Sequence, residues 1–106
     1  MEMKTERTDG KLEDLTELRL EISAVDDAMA ALFVKRMEVS EKIAAYKEAN
    51  GLPTYDPKRE QENLKKAKTR VPEELRELYR KFLQESMNLS KEYQEMKRQK
   101  PEEQNA

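Results

Sequence analysis

Apolar residues recur every three or four positions from Leu15 to Leu32 and again from Val39 to Tyr46, and Arg36 takes the position between the two runs. This is the pattern of a helix that carries a heptad seam, a stripe of apolar residues suited to helix pairing. Asn50-Gly51 is typical of a helix C-terminus. The pattern therefore predicts one long helix over about residues 12–50.

Two shorter helices are predicted after the long one. In Asp56-Pro57, a residue that caps helix N-termini precedes a proline in the first helical position, which predicts a second helix over about residues 57–69. Pro72 starts a third helix over about residues 73–97, whose apolar residues again follow helical spacing. The predicted fold class is all-α, with one long, one short and one medium helix.

The length of the first helix predicts a second copy of the chain. A helix over residues 12–50 is roughly 58 Å long, more than the two shorter helices of the same chain can cover. We therefore expect an obligate homodimer whose first helices pair. Residues 1–11 and 98–106 are polar and are predicted to be flexible tails on either side of a helical domain over 12–97.

Composition removes several classes of chemistry. The chain has 106 residues with neither cysteine nor histidine, which excludes thiol nucleophiles, disulfide bonds, the usual zinc sites and imidazole as an acid or base. With 21 Lys and Arg against 23 Asp and Glu, the net charge of −2 gives no basic footprint for nucleic acid. Only two glycines are present, so a glycine-rich phosphate loop is not expected.

The polar N-terminal residues and the short apolar runs indicate the cellular compartment in which we expect the protein. No apolar signal region precedes the first helix, and no stretch is long and apolar enough to span a membrane. We expect a cytoplasmic protein without cofactor or metal ion, and without a nucleic-acid or membrane partner.

Two cations share the inner face of the long helix. Arg36 lies on the seam between Leu32 and Val39, and Lys47, eleven residues later, returns to nearly the same face. Together they could bind an anion. The alternatives are that Arg36 only sets the register of a coiled coil and that Lys47 is a solvated cation near a helix C-terminus.

Arg19 flanks the same seam at its other end. It lies seventeen residues before Arg36, about 25 Å along the axis, too far to share a small-molecule site within one helix. An antiparallel partner helix would bring Arg19 of one chain to Arg36 and Lys47 of the other, which gives two equivalent sites. The alternative is a surface arginine paired with a nearby glutamate.

The two shorter helices add five further candidates. Asp56 opens the second helix, whose first turn also presents Arg59 and Glu60, and Ser90 and Gln94 lie one turn apart on the third helix. Each has a structural interpretation: Asp56 caps the helix, acidic residues suit its positive end, and Ser90 and Gln94 flank an apolar stripe. Glu60 fits this interpretation least, because its face is the inner one.

These residues belong to a longer set of motifs that runs over about residues 15–97. The motifs are Leu18-Arg19-x-x-Ile22, Val25-Asp26, Arg36-Met37, Lys47, Leu52-Pro53-x-Tyr55-Asp56-x-x-Arg59-Glu60 and Ser90-x-x-x-Gln94. Their order and spacing resemble those of the small all-α chorismate mutases, the AroQ class. The resemblance implies an intertwined antiparallel homodimer of three-helix chains.

The resemblance also implies a reaction, the rearrangement of chorismate to prephenate. This is a [3,3] pericyclic step on a dianion, which needs no covalent intermediate, metal ion or proton transfer. It needs cations that hold two carboxylates, and donors that meet the charge growing on the ether oxygen. The chemistry is therefore compatible with a chain that lacks cysteine and histidine.

The roles of individual residues follow from the same resemblance. Arg36 and Arg19 of the partner subunit would bind carboxylates, and Lys47 would bridge a carboxylate and the ether oxygen. Gln94 would donate a second hydrogen bond to that oxygen. Glu60 and the backbone near Asp56 would bind the substrate hydroxyl, and Ser90 would bind a carboxylate. Arg59 would line the site and orient Glu60.

Two other functions remain open from the sequence. A lyase of the same fold, which removes pyruvate from isochorismate, could use the same cations. A non-catalytic helical dimerisation or regulatory module would use Arg36 only to set the register of its helices.

Overall fold

The computed structural model describes residues 14–105, with side chains over 14–99, and is all-α as predicted. Within this range there is no strand, and none of the helices is long and apolar enough to cross a membrane. The predicted N-terminal tail, residues 1–11, lies outside the described range. The helices are α1 (Leu15–Ala49), α2 (Pro57–Arg70) and α3 (Arg76–Asn105), with a 3₁₀ turn (Glu73–Leu75) before α3.

Helix α1 ends in a Schellman motif. Gly51 adopts a positive φ of 66°, and the Leu52 N–H donates to the Lys47 carbonyl at 2.8 Å while the Gly51 N–H reaches the Glu48 carbonyl at 3.4 Å. These two bonds satisfy carbonyl groups that the helix itself leaves without partners. The helix end predicted at Asn50-Gly51 is thus confirmed, and it sets Lys47 in the last turn of α1.

Helix α2 begins at the predicted cap. The Asp56 carboxylate accepts a hydrogen bond from the Arg59 backbone N–H at 3.1 Å, and Pro57 occupies the first turn, where its missing N–H costs nothing. At its other end Val71 is extended, because a residue before proline disfavours the helical conformation. The 3₁₀ turn then follows Pro72.

Helix α3 runs to Asn105, eight residues beyond the end predicted at about residue 97. Arg98 accounts for the start of the extension, because its guanidinium binds the Glu48 carboxylate and the Leu52 carbonyl, each at 2.8 Å. Contacts to the end of α1 and the following loop therefore hold the helix past Lys97.

The chain divides into two units, and the first ends at Val34. Every residue from Asp14 to Val34 is exposed in the single chain. The apolar seam of α1 is part of this surface: Leu15, Leu18, Ile22, Val25, Met29 and Leu32 are each between 36% and 67% exposed. An apolar stripe of this length is characteristic of a surface that another chain covers.

The second unit begins at Lys35, and its core lies where α2 packs against α3. Ala67, Leu83 and Met87 are buried there, with Leu64 and Tyr79 packed against them. A second row of apolar residues on the 3₁₀ turn and α3 is exposed; it comprises Leu75, Leu78, Phe82, Leu89 and Met96. The core of the single chain is therefore small for a domain of this size.

Candidate functional site

A cavity of about 280 Å³ lies within the second unit. Its walls are the C-terminal part of α1, the loop over 50–56, the first turns of α2 and the middle of α3. Seven of the eight residues proposed from the sequence line it: Arg36, Lys47, Asp56, Arg59, Glu60, Ser90 and Gln94. Arg19, the eighth, is not among the lining residues.

The interior of the cavity is polar. Ser40, Ser90 and Gln94 are between 3% and 6% exposed, and they are the buried polar residues of the described chain. All three line the cavity. Because burying a polar group costs free energy unless it is hydrogen-bonded, such a concentration indicates a wall built for a polar ligand rather than for packing.

Arg36 projects from α1 toward α3 and donates a hydrogen bond through Nη1 to the Ser90 hydroxyl. Burial lowers the pKa of the Arg36 guanidinium, an effect that Tyr79 opposes and Arg70 reinforces. Within the described part of the chain, no carboxylate forms an ion pair with it. Arg36 is therefore a partly desolvated cation whose contact in the cavity is neutral.

Lys47 is a second cation of this kind. Its Nζ donates to the Thr54 carbonyl at 2.7 Å and to Oε1 of Gln94 at 3.2 Å, both neutral acceptors. Burial lowers the pKa of the Lys47 ammonium; Asp56 and Glu60 raise this pKa, and Arg98 lowers it. A carboxylate of a bound ligand would supply the charged partner that Lys47 lacks.

The contact with Lys47 also orients Gln94. Since Oε1 of the Gln94 amide accepts from Lys47, the two N–H donors on Nε2 are left for a ligand. The ammonium of Lys47 and the amide of Gln94 thus form an adjacent pair of donors on one wall of the cavity.

Glu60 lies in the first turn of α2 and binds two residues of α3. Its Oε2 receives an ion pair from Lys91 Nζ at 2.8 Å, and its Oε1 accepts a long hydrogen bond of 3.5 Å from Gln84. Lys91 also packs over the Tyr55 ring, 4.5 Å from its centre. Contacts from α3 therefore orient Glu60, whereas the sequence interpretation gives this role to Arg59.

Arg59 and Asp56 occupy the exposed side of the cavity. Their recorded contact is the helix cap, in which the Arg59 backbone N–H donates to the Asp56 carboxylate. The cap fixes the start of α2, and with it the position of Glu60 in the first turn. The capping interpretation of Asp56 is confirmed, and it is compatible with a further role in binding.

Lys91 is a cavity residue that the sequence interpretation misses. The available signal was Glu60 itself, because an acidic residue on an inner helix face requires a cationic partner. Several lysines of α3 could have supplied it, and the sequence does not distinguish among them.

The geometry defines an all-α protein with a ligand-sized cavity, in which two cations, Arg36 and Lys47, contact neutral groups and could bind an anion. A comparison with family models agrees with this class: the model described as chorismate mutase type II matches residues 18–95. The chain belongs to the chorismate mutase type II family, and the family resemblance seen in the sequence is confirmed.

One curated relative shares part of the chain. The T-protein of Haemophilus influenzae is 41% identical over 49 residues, which are 46% of this chain and 13% of that protein. The chain thus matches only a small part of the T-protein's length. No solved structure matches the chain significantly.

Proposed function

We propose that the chain is a chorismate mutase, which rearranges chorismate to prephenate. The observation that carries the proposal is the pair of partly buried cations, Arg36 and Lys47, whose contacts in one small cavity are neutral. Chorismate carries two carboxylates, so it supplies the missing negative charge. Membership of the chorismate mutase type II family supports the same assignment.

The cations bind and orient the substrate in this mechanism. Arg36 grips one carboxylate as a planar, bidentate donor, and Ser90, already bonded to Arg36, adds its hydroxyl. Lys47 binds at the ether bridge. Holding the enolpyruvyl group over the ring restricts a flexible substrate to its reactive conformer. Such orientation can lower the activation free energy by roughly 7–11 kcal/mol.

Lys47 and Gln94 stabilise the transition state. As the C–O bond breaks, negative charge grows on the ether oxygen, and the adjacent ammonium and amide donors are placed to meet it. Each such donor is worth roughly 3–4 kcal/mol when it acts in the transition state and not in the ground state. No nucleophile, proton transfer or covalent intermediate is required.

Glu60 binds the ring hydroxyl in the proposed complex. Its carboxylate lines the cavity and is held by Lys91, and each of its oxygens has a further lone pair that can accept from the hydroxyl. The Asp56 backbone lies at the start of the same helix and adds a second contact, and Arg59 closes the exposed side.

The active form is proposed to be a homodimer. The seam of α1 over residues 15–32 is exposed in the single chain, and a second copy packed head to tail buries it. That arrangement brings Arg19 of the partner subunit to the cavity, where it binds the second carboxylate. Each dimer then contains two equivalent sites.

The test is a direct assay of chorismate consumption by the purified chain, with prephenate identified as the product. Lys47→Ala should abolish turnover, whereas Lys42→Ala, an exposed lysine on the same helix, should leave it unchanged. Release of pyruvate from isochorismate, without use of chorismate, would identify the lyase instead. Absence of both activities in a folded dimer would leave a structural helical module.

A further inference from the structure

Arg98 lies outside the cavity lining, on the part of α3 that the sequence assigns to a tail, and it contacts the loop over 50–56. Its Nη2 donates to the Leu52 carbonyl at 2.8 Å, and its Nη1 donates to the Thr54 hydroxyl at 2.9 Å. Its Nε completes the set with an ion pair to Glu48 at 2.8 Å. One guanidinium thus joins the end of α1 to two residues of the loop.

Thr54 connects the contacts of Arg98 to the cavity. Its hydroxyl accepts from Arg98 and donates to the Glu95 carboxylate, so α3 holds its side chain through two residues. Its carbonyl, on the other side of the residue, accepts from Lys47 at 2.7 Å. The position of the acceptor that holds Lys47 therefore depends on contacts made outside the cavity.

The loop has few other restraints at this point. The Schellman motif fixes its start as far as Leu52, and the Asp56 cap fixes the start of α2. Between these two motifs, Arg98 and Glu95 hold the Thr54 side chain, Lys47 binds the Thr54 carbonyl, and Lys91 packs over the Tyr55 ring. The side chain of Arg98 is 17% exposed, as expected of a guanidinium enclosed by its acceptors.

We propose that Arg98 is a positioning residue for Lys47, which holds the Thr54 carbonyl over the cavity and thereby keeps the ammonium aimed at the substrate's ether oxygen. The role in catalysis rests on the proposed chorismate mutase activity; the positioning of Lys47 does not. Arg98 acts through the loop and touches no reacting atom.

The charge of Arg98 gives the arrangement a measurable signature. Lys47 faces Asp56 and Glu60 from the start of α2, which raise its pKa, and Arg98 from α3, which lowers it. Two further carboxylates belong to this set of contacts: Glu48 forms an ion pair with Arg98, and Glu95 accepts from the Thr54 hydroxyl. Removing the charge of Arg98, and loosening the loop that helps to bury Lys47, should both raise the pKa of Lys47.

Two substitutions separate the geometry of Arg98 from its charge. Arg98→Gln removes both the charge and the fork of donors, whereas Arg98→Lys keeps a charge that cannot span the Glu48, Leu52 and Thr54 acceptors. Arg80→Gln is the matched control, since Arg80 lies on the same helix in an ion pair with Glu77 and does not line the cavity.

The experiment measures kcat/KM against pH and, independently of activity, the pKa of Lys47 by NMR of its side-chain carbons, assigned with Lys47→Met. Both Arg98 variants should lose about ten- to a hundredfold in kcat/KM, the size of effect expected when a catalytic group is displaced from a distance. Both variants should also raise the pKa of Lys47 and move the alkaline limb of the profile to higher pH, Arg98→Lys through the loosened loop and Arg98→Gln by more, because it also removes a charge.

The proposal is overturned if Arg98→Gln matches Arg80→Gln in both rate and Lys47 pKa. If Arg98→Gln does not fold by circular dichroism, Arg98→Lys decides: an unchanged rate in that folded variant also overturns the proposal. If the unmodified chain consumes no chorismate, the chorismate mutase assignment fails, and the Lys47 pKa in the variants still decides the role of Arg98.

Discussion

Lys47 on α1 donates a hydrogen bond to Oε1 of Gln94 on α3, 47 residues further along the chain. The contact joins the two residues proposed to stabilise the ether oxygen, and it fixes which end of the amide faces the ligand. Removal of either residue therefore changes the orientation of the other.

Gln94→Glu should make activity depend on low pH. The Gln94 amide donates a hydrogen bond at any pH, but a carboxyl group donates only when protonated. Adjacent Lys47 favours the ionised form, so protonation requires acid. We expect kcat/KM of the variant to be highest at acidic pH and to fall toward neutrality, where the unmodified chain stays active. A flat profile would contradict the role of Gln94 as a donor.

Lys47→Met should separate activity from stability. The variant loses the donor proposed for the ether oxygen and should drop at least about 10²-fold in kcat. Its stability should change little, because it loses two neutral hydrogen bonds but no longer buries an ammonium group. We expect an unfolding midpoint within about 4 °C of the unmodified chain, measured by circular dichroism. A much larger fall would assign Lys47 a structural role.

The pKa of Lys47 predicts opposite pH dependences of activity and stability. Burial lowers this pKa in the folded chain, so kcat/KM should begin to fall at a lower pH than an exposed lysine, near 10.4, would give. Above the folded pKa the unfolded chain binds more protons, so the contribution of Lys47 to the free energy of unfolding rises with pH up to the unfolded pKa.

Parallel pH titrations of rate and of urea unfolding would check this. Lys47→Arg provides the comparison, because an arginine side chain stays charged throughout the range. If that variant retains activity, its alkaline limb should lie at higher pH. A limb at the same pH in both proteins would assign it to another group.

Lys91→Met should weaken substrate binding through Glu60. The Glu60 carboxylate loses its 2.8 Å ion pair and keeps only the long contact with Gln84, so it is held less firmly against the ring hydroxyl. We expect kcat/KM to fall about tenfold, mainly through KM, and Lys91→Arg to restore most of the loss. Unchanged kinetics in Lys91→Met would mean that Glu60 does not need this partner.

Mixing two inactive variants tests the shared site. The unmodified chain should sediment as a dimer at micromolar concentration. Arg19→Ala and Arg36→Ala should each be inactive, and their equimolar mixture should regain about a quarter of the unmodified activity, since half of the dimers then carry one intact site. No recovery after verified subunit exchange would place Arg19 outside the site.

The helix ends could be predicted from the sequence because their signals are local. Gly51 permits a positive φ, and Asp56 caps the helix that begins one residue later; neither requires knowledge of the packing. The lining positions of Ser90 and Gln94 followed from their spacing within a known family pattern. The predicted end of α3 fell short because Arg98 is held by distant residues rather than by its neighbours in sequence.

The partners of charged residues could not be predicted in the same way. Whether Lys91 or Arg59 holds Glu60 depends on how α3 packs against α2, which the helical pattern alone does not fix. The lowered pKa of Lys47 likewise depends on how far the loop over 50–56 covers it, a property of three-dimensional burial alone.

Gly51 also limits how this protein could be redesigned. A Cβ at this position would meet nothing within 4 Å, so the positive φ and not a clash opposes an added Cβ, by roughly 1 kcal/mol. Asparagine adopts that conformation most readily among the alternatives. Mutagenesis libraries that keep Arg36, Lys47 and Gln94 and vary their neighbours should therefore offer position 51 only glycine and asparagine, because its backbone sets where Lys47 meets the loop.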